Sequence, residues 1–415
     1  MTGRYAAPIA AFLLASCART PGPVDPKLAS AIADIKAIDN HAHPALATPG
    51  DREFDALPVD NMEPSSDPLA FRPNSPDFKA AAKALYGASS KADTIRRLGD
   101  RYPAWVLDQT GTDIMFANRI AMGPSIQAPR FRWVPYVDAL IFPLDNSLEA
   151  SANSDRKSFF ALEDKLRARY IESLPATLAA YTALITRLLE AHKQGGALAE
   201  KFEAAYLRTL AFERVEPTEA ERVYSRYVHR EAPPHAAYKT LQDYLFRYIA
   251  AECGRLGLAV HIHTMAGAGG YFDVTGANPL NLEPLLDDPA LRKTKFVMVH
   301  GGWPFTREAA ALLTKPNAWL DFSAQTLLLP PAAVAGTLRE WLALVPGKVL
   351  YGTDAYPYSD QLGWEESAWI AARNGREALA RALTAMLRDG EISRPRAIEL
   401  ARMVLRDNAR ALYGL

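Results

Sequence analysis

Short apolar runs, four of which end on a histidine or an aspartate, recur along this chain with helical patterns between them, and this repeat limits its fold more than any other feature. Runs at 36–43, 113–118, 131–136, 197–203, 258–263, 295–300, 318–322 and 348–354 read as strands. Strands that alternate with helices argue for a parallel sheet with crossover helices. Eight of them in one chain of this length fit a (β/α)8 TIM barrel in the α/β class, with helical insertions after strands 1 and 3, at about 44–107 and 145–195. Apolar residues 241, 244, 245, 248, 249 and 256 space out an amphipathic helix over 238–256, and Cys253 beside that stripe reads as a buried structural thiol.

Polar residues at the strand ends carry the chemistry. The first strand closes on Asp39-Asn40-His41-Ala42-His43, and alternation along a strand points His41 and His43 the same way, with Asp39 on their side. Two neutral imidazoles presented together can chelate a divalent ion. Of the eight histidines, His41, His43, His261, His263 and His300 fall in the last positions of expected strands, and Asp354 ends the eighth. A barrel gathers such positions on one rim, although hundreds of residues separate them in sequence. His192, His229 and His235 stand in helical or turn-like contexts, where surface or lid positions are the default.

Charge excludes one class of partner. Lys+Arg and Asp+Glu both number 47, which leaves no net field for nucleic acid. The two cysteines supply no disulfide framework, and no internal stretch is long and apolar enough to span a bilayer. At the start, Arg4, the apolar stretch 6–14 and Leu14-Ala15-Ser16-Cys17 resemble a bacterial lipoprotein leader with its lipobox. That resemblance implies a signal peptide over 1–16, acylation of Cys17, a lipid-anchored tether over 17–30 and a catalytic body over 31–415. Ala18 is not acidic, which favours the outer membrane, with the body facing the periplasm.

Asp-x-His-x-His on the first strand, His300-Gly301-Gly302 after a later one, Gly352-Thr353-Asp354 on the last and the closing 407–413 stretch together resemble the amidohydrolase superfamily. The match is closest to its amidohydrolase-related (amidohydrolase 2) branch. The stretches 201–208 and 241–246 look like the subgroup that includes the N-terminal domain of FluG-type proteins. The resemblance implies a metal-dependent hydrolase acting on an amide or ester-like C–N or C–O bond of a small molecule. In it, His41 and His43 would hold a divalent metal, zinc being the expected one. His263 and His300 would ligate or polarise the substrate, and Asp354 would contact the metal and act as general base. His261 shares a face with His263 and either could ligate, the family position favouring His263.

Lys201 leaves two readings open: a carbamylated lysine bridging two ions, or an ordinary barrel lysine paired with Glu203 or Asp354. Arg119, Arg130, Arg132 and Arg208 stand near the ends of strands two to four. A guanidinium there could hold a substrate carboxylate bidentately or form a structural ion pair. Arg119, Arg208, Tyr206 and Trp303 are the expected substrate-binding residues. Gly267, Gly269 and Gly270 suggest a loop after the fifth strand without the spacing of a dinucleotide fingerprint. Two alternatives remain beside the hydrolase: a decarboxylating lyase on the same barrel with one metal, and a surface lipoprotein that only binds a metal or solute. Substrate identity and oligomeric state are not legible.

Overall fold

The computed structural model describes residues 23–48, 50–58, 75–359 and 361–415. Cys17, the expected leader and the upstream part of the expected tether lie outside these residues. Eight parallel strands form: β1 (Ala37–Ala42), β2 (Thr112–Asn118), β3 (Phe131–Val134), β4 (Ala199–Phe202), β5 (Ala259–His263), β6 (Lys295–Val299), β7 (Ala318–Asp321) and β8 (Val349–Leu350). They pair in two arcs, β1-β2-β3 and β4-β5-β6-β7-β8. Backbone bonds close both seams. Leu198 N donates to Trp133 O at 3.1 Å and Lys201 N to Pro135 O at 2.8 Å, while Asn40 N donates to Tyr351 O and Asp354 N to His41 O, both at 2.8 Å. The result is the expected eight-stranded barrel, whose closure leaves no unpaired edge.

Inside the barrel, an apolar layer lies below the strand ends. Ile38, Phe116, Val134, Ala199, Ala259, Val297, Val299 and Leu350 pack with Ala409 and Leu412 of the closing helix Asn408–Tyr413. Asn408 Nδ2 holds that helix in place by donating to the carbonyls of Pro346 and Val349, both at 2.8 Å. Water is thus shut out beneath the rim, and polar groups at the strand ends operate above a dry floor.

Helices cover the outside. Among the described residues, three follow β1 (Pro76–Tyr86, Lys91–Leu98 and Tyr102–Thr110) and three follow β3 (Ser147–Ala152, Lys157–Tyr170 and Leu178–Gln194). Within the insertion after β3 the helical run breaks after Tyr170 and restarts at Leu178, where Thr177 caps Ala180 N. The helix Pro26–Ala33 begins at Asp25, which caps Leu28 N, and it buries Leu28 and Ile32. The downstream part of the expected tether, from Asp25 onward, is thus a packed helix. Regular pairing in β8 ends at Leu350 rather than at 354, because the backbone turns at Asp354 (φ 58°). Among the described residues, no helix is long and apolar enough to cross a membrane.

Candidate metal centre

At the C-terminal rim, His41, His300 and Asp354 each place one ligand-type atom within 4.8 Å of the others. His41 Nε2 lies 3.1 Å from Asp354 Oδ1, and His43 Nε2 lies 3.4 Å from the same oxygen. The two Nε2 atoms are 3.3 Å apart, and His300 Nδ1 stands 3.9 Å from Asp354 Oδ2. His263 is one ring further out, its centroid 4.7 Å from that of His300. The strand ends thus bring these five residues together, with β1 contributing two of them. Asp39 does not join: its carboxylate turns to β8 and accepts from Thr353 N at 2.9 Å and from the Thr353 hydroxyl.

Hydrogen bonds on the far sides of the imidazoles decide which nitrogen is free. His263 Nε2 is 2.8 Å from Met265 O, a pure acceptor, so Nε2 bears the proton and Nδ1 the lone pair. Ser323 Oγ donates to Asp321 and therefore accepts from His300 Nδ1 at 2.9 Å, which leaves His300 Nε2 available. Burial first, and then the Lys201 charge, holds His41 well below the usual histidine range; burial likewise brings His300 down to about 3. Neutral imidazoles are the form that binds a cation. Burial alone would raise Asp354, but its interactions with the neighbouring imidazoles, His300 foremost and then His41 and His43, hold it well below the usual carboxylate range. Uncharged nitrogens around one ionised carboxylate suit a divalent ion of the zinc type.

Local strain accompanies this geometry. His300 (φ 69°) and Asp354 (φ 58°) adopt left-handed backbone, which costs on the order of 1–3 kcal/mol per non-glycine residue. Asp354 N bonds His41 O, and His300 N bonds Asp321 Oδ1 at 2.9 Å, so the barrel itself enforces both turns. Gly301 continues the turn at φ 58°, and any side chain there would meet Trp341 and the Asp321 carbonyl.

Lys201 is fully buried at the end of β4, and its Nζ has no hydrogen-bond partner; Glu203 Oε1 is 3.8 Å away. Beside it lie four buried acids, Asp55, Asp138, Glu163 and Glu203. Asp138 Oδ2, Glu203 Oε2 and both Glu163 oxygens lack partners among the described residues. Burial pushes Asp138 up to about 7 and raises Glu163 and Glu203 well above the usual range.

Two expected substrate arginines are employed elsewhere. Arg119 is fully buried and holds Asp51 at 2.9 and 3.1 Å, with further bonds to the carbonyls of Pro44 and Ala121. Arg208 binds Asp243, Gln242 at 2.9 Å, and the Thr209 and Ala211 carbonyls. Four of the five N–H donors of each are engaged by these partners, so each ties a rim loop to its neighbours. Arg130 is likewise engaged with Asp108 and two carbonyls. Tyr206 does line the site, its ring 4.5 Å from His263. Trp303 is half-buried, and its carbonyl accepts from Ala266 N, joining the loops after β5 and β6. His261 turns away and meets Tyr413 Oη at 2.7 Å. His192 is buried against Glu200 at 3.1 Å, not at the surface, whereas His235 is exposed and pairs with Glu149.

Sequence reasoning missed several residues behind the centre: Asp321, Ser323, Thr353, Tyr136 and the 54–55 pair. Asp321 ends β7 as Asp354 follows β8, so the strand-end criterion applied evenly would have found it. Phe54 and Asp55 reach His43 from a loop, and no periodicity marks them.

With this geometry in place, comparisons with known proteins agree. Residues 199–415 match the amidohydrolase family profile. Protein fluG of Emericella nidulans is 23% identical over 416 residues, covering 91% of this chain and 45% of that protein, so the chain spans less than half the length of this curated relative. A structure described as a candidate metal-dependent hydrolase from Lactobacillus casei superposes with a TM-score of 0.68 at 16% identity, covering 93% of this chain and 97% of that one. Uronate isomerase of Thermotoga maritima has a TM-score of 0.57 at 11% identity, covering 93% of this chain and 96% of that one. Such identities establish the shared barrel fold and nothing finer. On the profile match and the barrel together, the chain belongs to the amidohydrolase family.

Proposed function

We propose that the protein is a metal-dependent hydrolase that cleaves an amide or ester-like bond of a small molecule. The observation that carries this reading is the convergence of three imidazoles, His41, His43 and His300, and the Asp354 carboxylate on one rim. His41, His43, His300 and Asp354 would hold the ion, with His263 at its margin. When bound, a divalent ion supplies Lewis acidity that activates water and polarises a carbonyl.

The chain's own groups do the rest. Asp354 lies within reach of two imidazoles and of the rim, so its Oδ2 takes a proton from the attacking water and returns it to the leaving group. His263 and Tyr206 form one wall and orient the scissile group. The apolar floor excludes water from below, which strengthens every charge interaction above it.

Among the described residues the Lys201 amine has a long ion pair to Glu203 but no hydrogen bond, which marks an incomplete arrangement, and the carbamylated bridge between two ions is the reading kept for it. Zinc analysis of the purified protein tests that part: two ions per chain support the bridge, and one ion with full turnover rejects it. Decarboxylation of a carboxylate substrate has less behind it, because Arg119 and Arg208 are already paired.

Replacing Asp354 with Asn is expected to lower turnover on a panel of amides and lactones by about 10²–10⁴-fold, with metal still bound. Unchanged turnover refutes the general-base role. Tight metal binding with no turnover on that panel, or CO₂ release from aromatic carboxylates, moves the assignment to a binding protein or a lyase respectively. Anchoring through Cys17 to the periplasmic face of the outer membrane belongs to the same proposal, and the mass of the mature N-terminus tests it.

A further inference from the structure

His43 has one face toward the centre and one toward a cluster of polar groups behind it. Its Nε2 faces His41 Nε2 at 3.3 Å and Asp354 Oδ1 at 3.4 Å. Its Nδ1 is 2.9 Å from Tyr136 Oη, 3.2 Å from Phe54 O and 3.7 Å from Asp55 Oδ2. A neutral imidazole carries a single proton, so the two faces are linked. A proton on Nε2 would block that nitrogen as a ligand. A proton on Nδ1 leaves the Nε2 lone pair facing Asp354. The Phe54 carbonyl and the Asp55 carboxylate can only accept, whereas the Tyr136 hydroxyl can either donate or accept. Its direction therefore decides the tautomer.

Asp55 supplies the bias. Its carboxylate and the Tyr136 hydroxyl both lie beside His43 Nδ1, at 3.7 and 2.9 Å, and a carboxylate that can only accept draws the hydroxyl proton and so leaves an oxygen lone pair for His43 Nδ1. Tyr136 is fully buried directly beyond β3, and its main chain bridges to Lys201 of β4, so the phenol is fixed by the barrel wall rather than by a loop. Phe54 O is the more distant acceptor and belongs to the loop after β1.

We propose that Tyr136, backed by Asp55, is a positioning residue that keeps the His43 proton on Nδ1 and so makes Nε2 a metal ligand. This rests on the metal-centre reading above. Outer hydrogen bonds of this kind commonly change metal affinity by about 10–100-fold.

The test uses the full chain and zinc alone. Zinc dissociation constants are measured by chelator competition for the parent, Tyr136→Phe, Asp55→Asn, the double variant and His41→Ala. In parallel, ¹⁵N shifts of His43 report its tautomer in the metal-free protein, and thermal unfolding reports folding. Tyr136→Phe is expected to weaken zinc about 10–100-fold, to populate the Nε2-protonated tautomer, and to leave the fold intact. Asp55→Asn is expected to do the same to a smaller extent, and the double variant should be no weaker than Tyr136→Phe, because Asp55 acts through the phenol. Parent-like zinc affinity and tautomer in a folded Tyr136→Phe overturn the proposal, as do losses that simply multiply in the double variant. If the parent binds zinc no better than His41→Ala, the metal-centre reading itself fails and takes this proposal with it. Where parent and His41→Ala differ, the Tyr136 result bears on positioning alone.

Discussion

At Asp138, the structure commits a single carboxyl to an unusual balance. Its Oδ1 accepts Glu203 N at 2.7 Å, while Oδ2 is buried without a partner. Burial raises its folded pKa to about 7, well above the ordinary value, so the folded state holds this proton more tightly than the unfolded chain. Stability from this group is full below about pH 4 and is lost as pH rises through 7, at most about 4 kcal/mol in all. Asp138→Asn should therefore be more stable than the parent at pH 8.5 and lose that advantage below pH 5. Urea midpoints across that range measure it, and an advantage that grows on acidification contradicts the assignment. Single residues were also where the sequence was most and least informative. His41, His43, His300 and Asp354 were legible because an apolar run that must be a strand fixes where its last polar residue points. Arg119 and Arg208 were not, because their partners Asp51 and Asp243 are brought to them only by loop and helix packing.

Among the elements, the strands were foreseen where eight apolar runs repeat, and their parallel order followed from the helices between them. Helices were legible as periodic stripes but not in their breaks: the interruption between Tyr170 and Leu178 is set by Thr177 capping and tertiary packing. The segment after β4 shows what loop arginines do here. Arg208 straps 208–211 to the helix His235–Leu256 through Gln242 and Asp243, and stacks on Phe212 at 4.4 Å. Arg208→Ala strands a buried Asp243 carboxylate that retains only Lys239. It should destabilise the fold by about 3–5 kcal/mol while leaving KM of the surviving protein unchanged. A raised KM at normal stability would restore Arg208 to substrate binding.

For the whole molecule, one buried polar line ties the barrel floor to its rim. His261 Nε2 meets Tyr413 Oη, which donates to Asn40; Asn40 Nδ2 donates to Asp321 at 2.7 Å, and Asp321 receives Ser323 and the His300 amide. Tyr413→Phe leaves His261 and Asn40 each short of a partner and should cost about 2 kcal/mol, read as a lower urea midpoint. No change would mean that the line adds nothing to stability. The same closure has a kinetic side. β1 is made early and pairs with β2, yet its other edge finds a partner only in residues 351–355, and Ala409 and Leu412 complete the floor. A ribosome has therefore emitted all seven other strands before the first one finds its second edge, and the histidines it carries wait open-sided until then. Such late, long-range pairing makes for slow folding, during which the half-built sheet is the species a chaperone would meet.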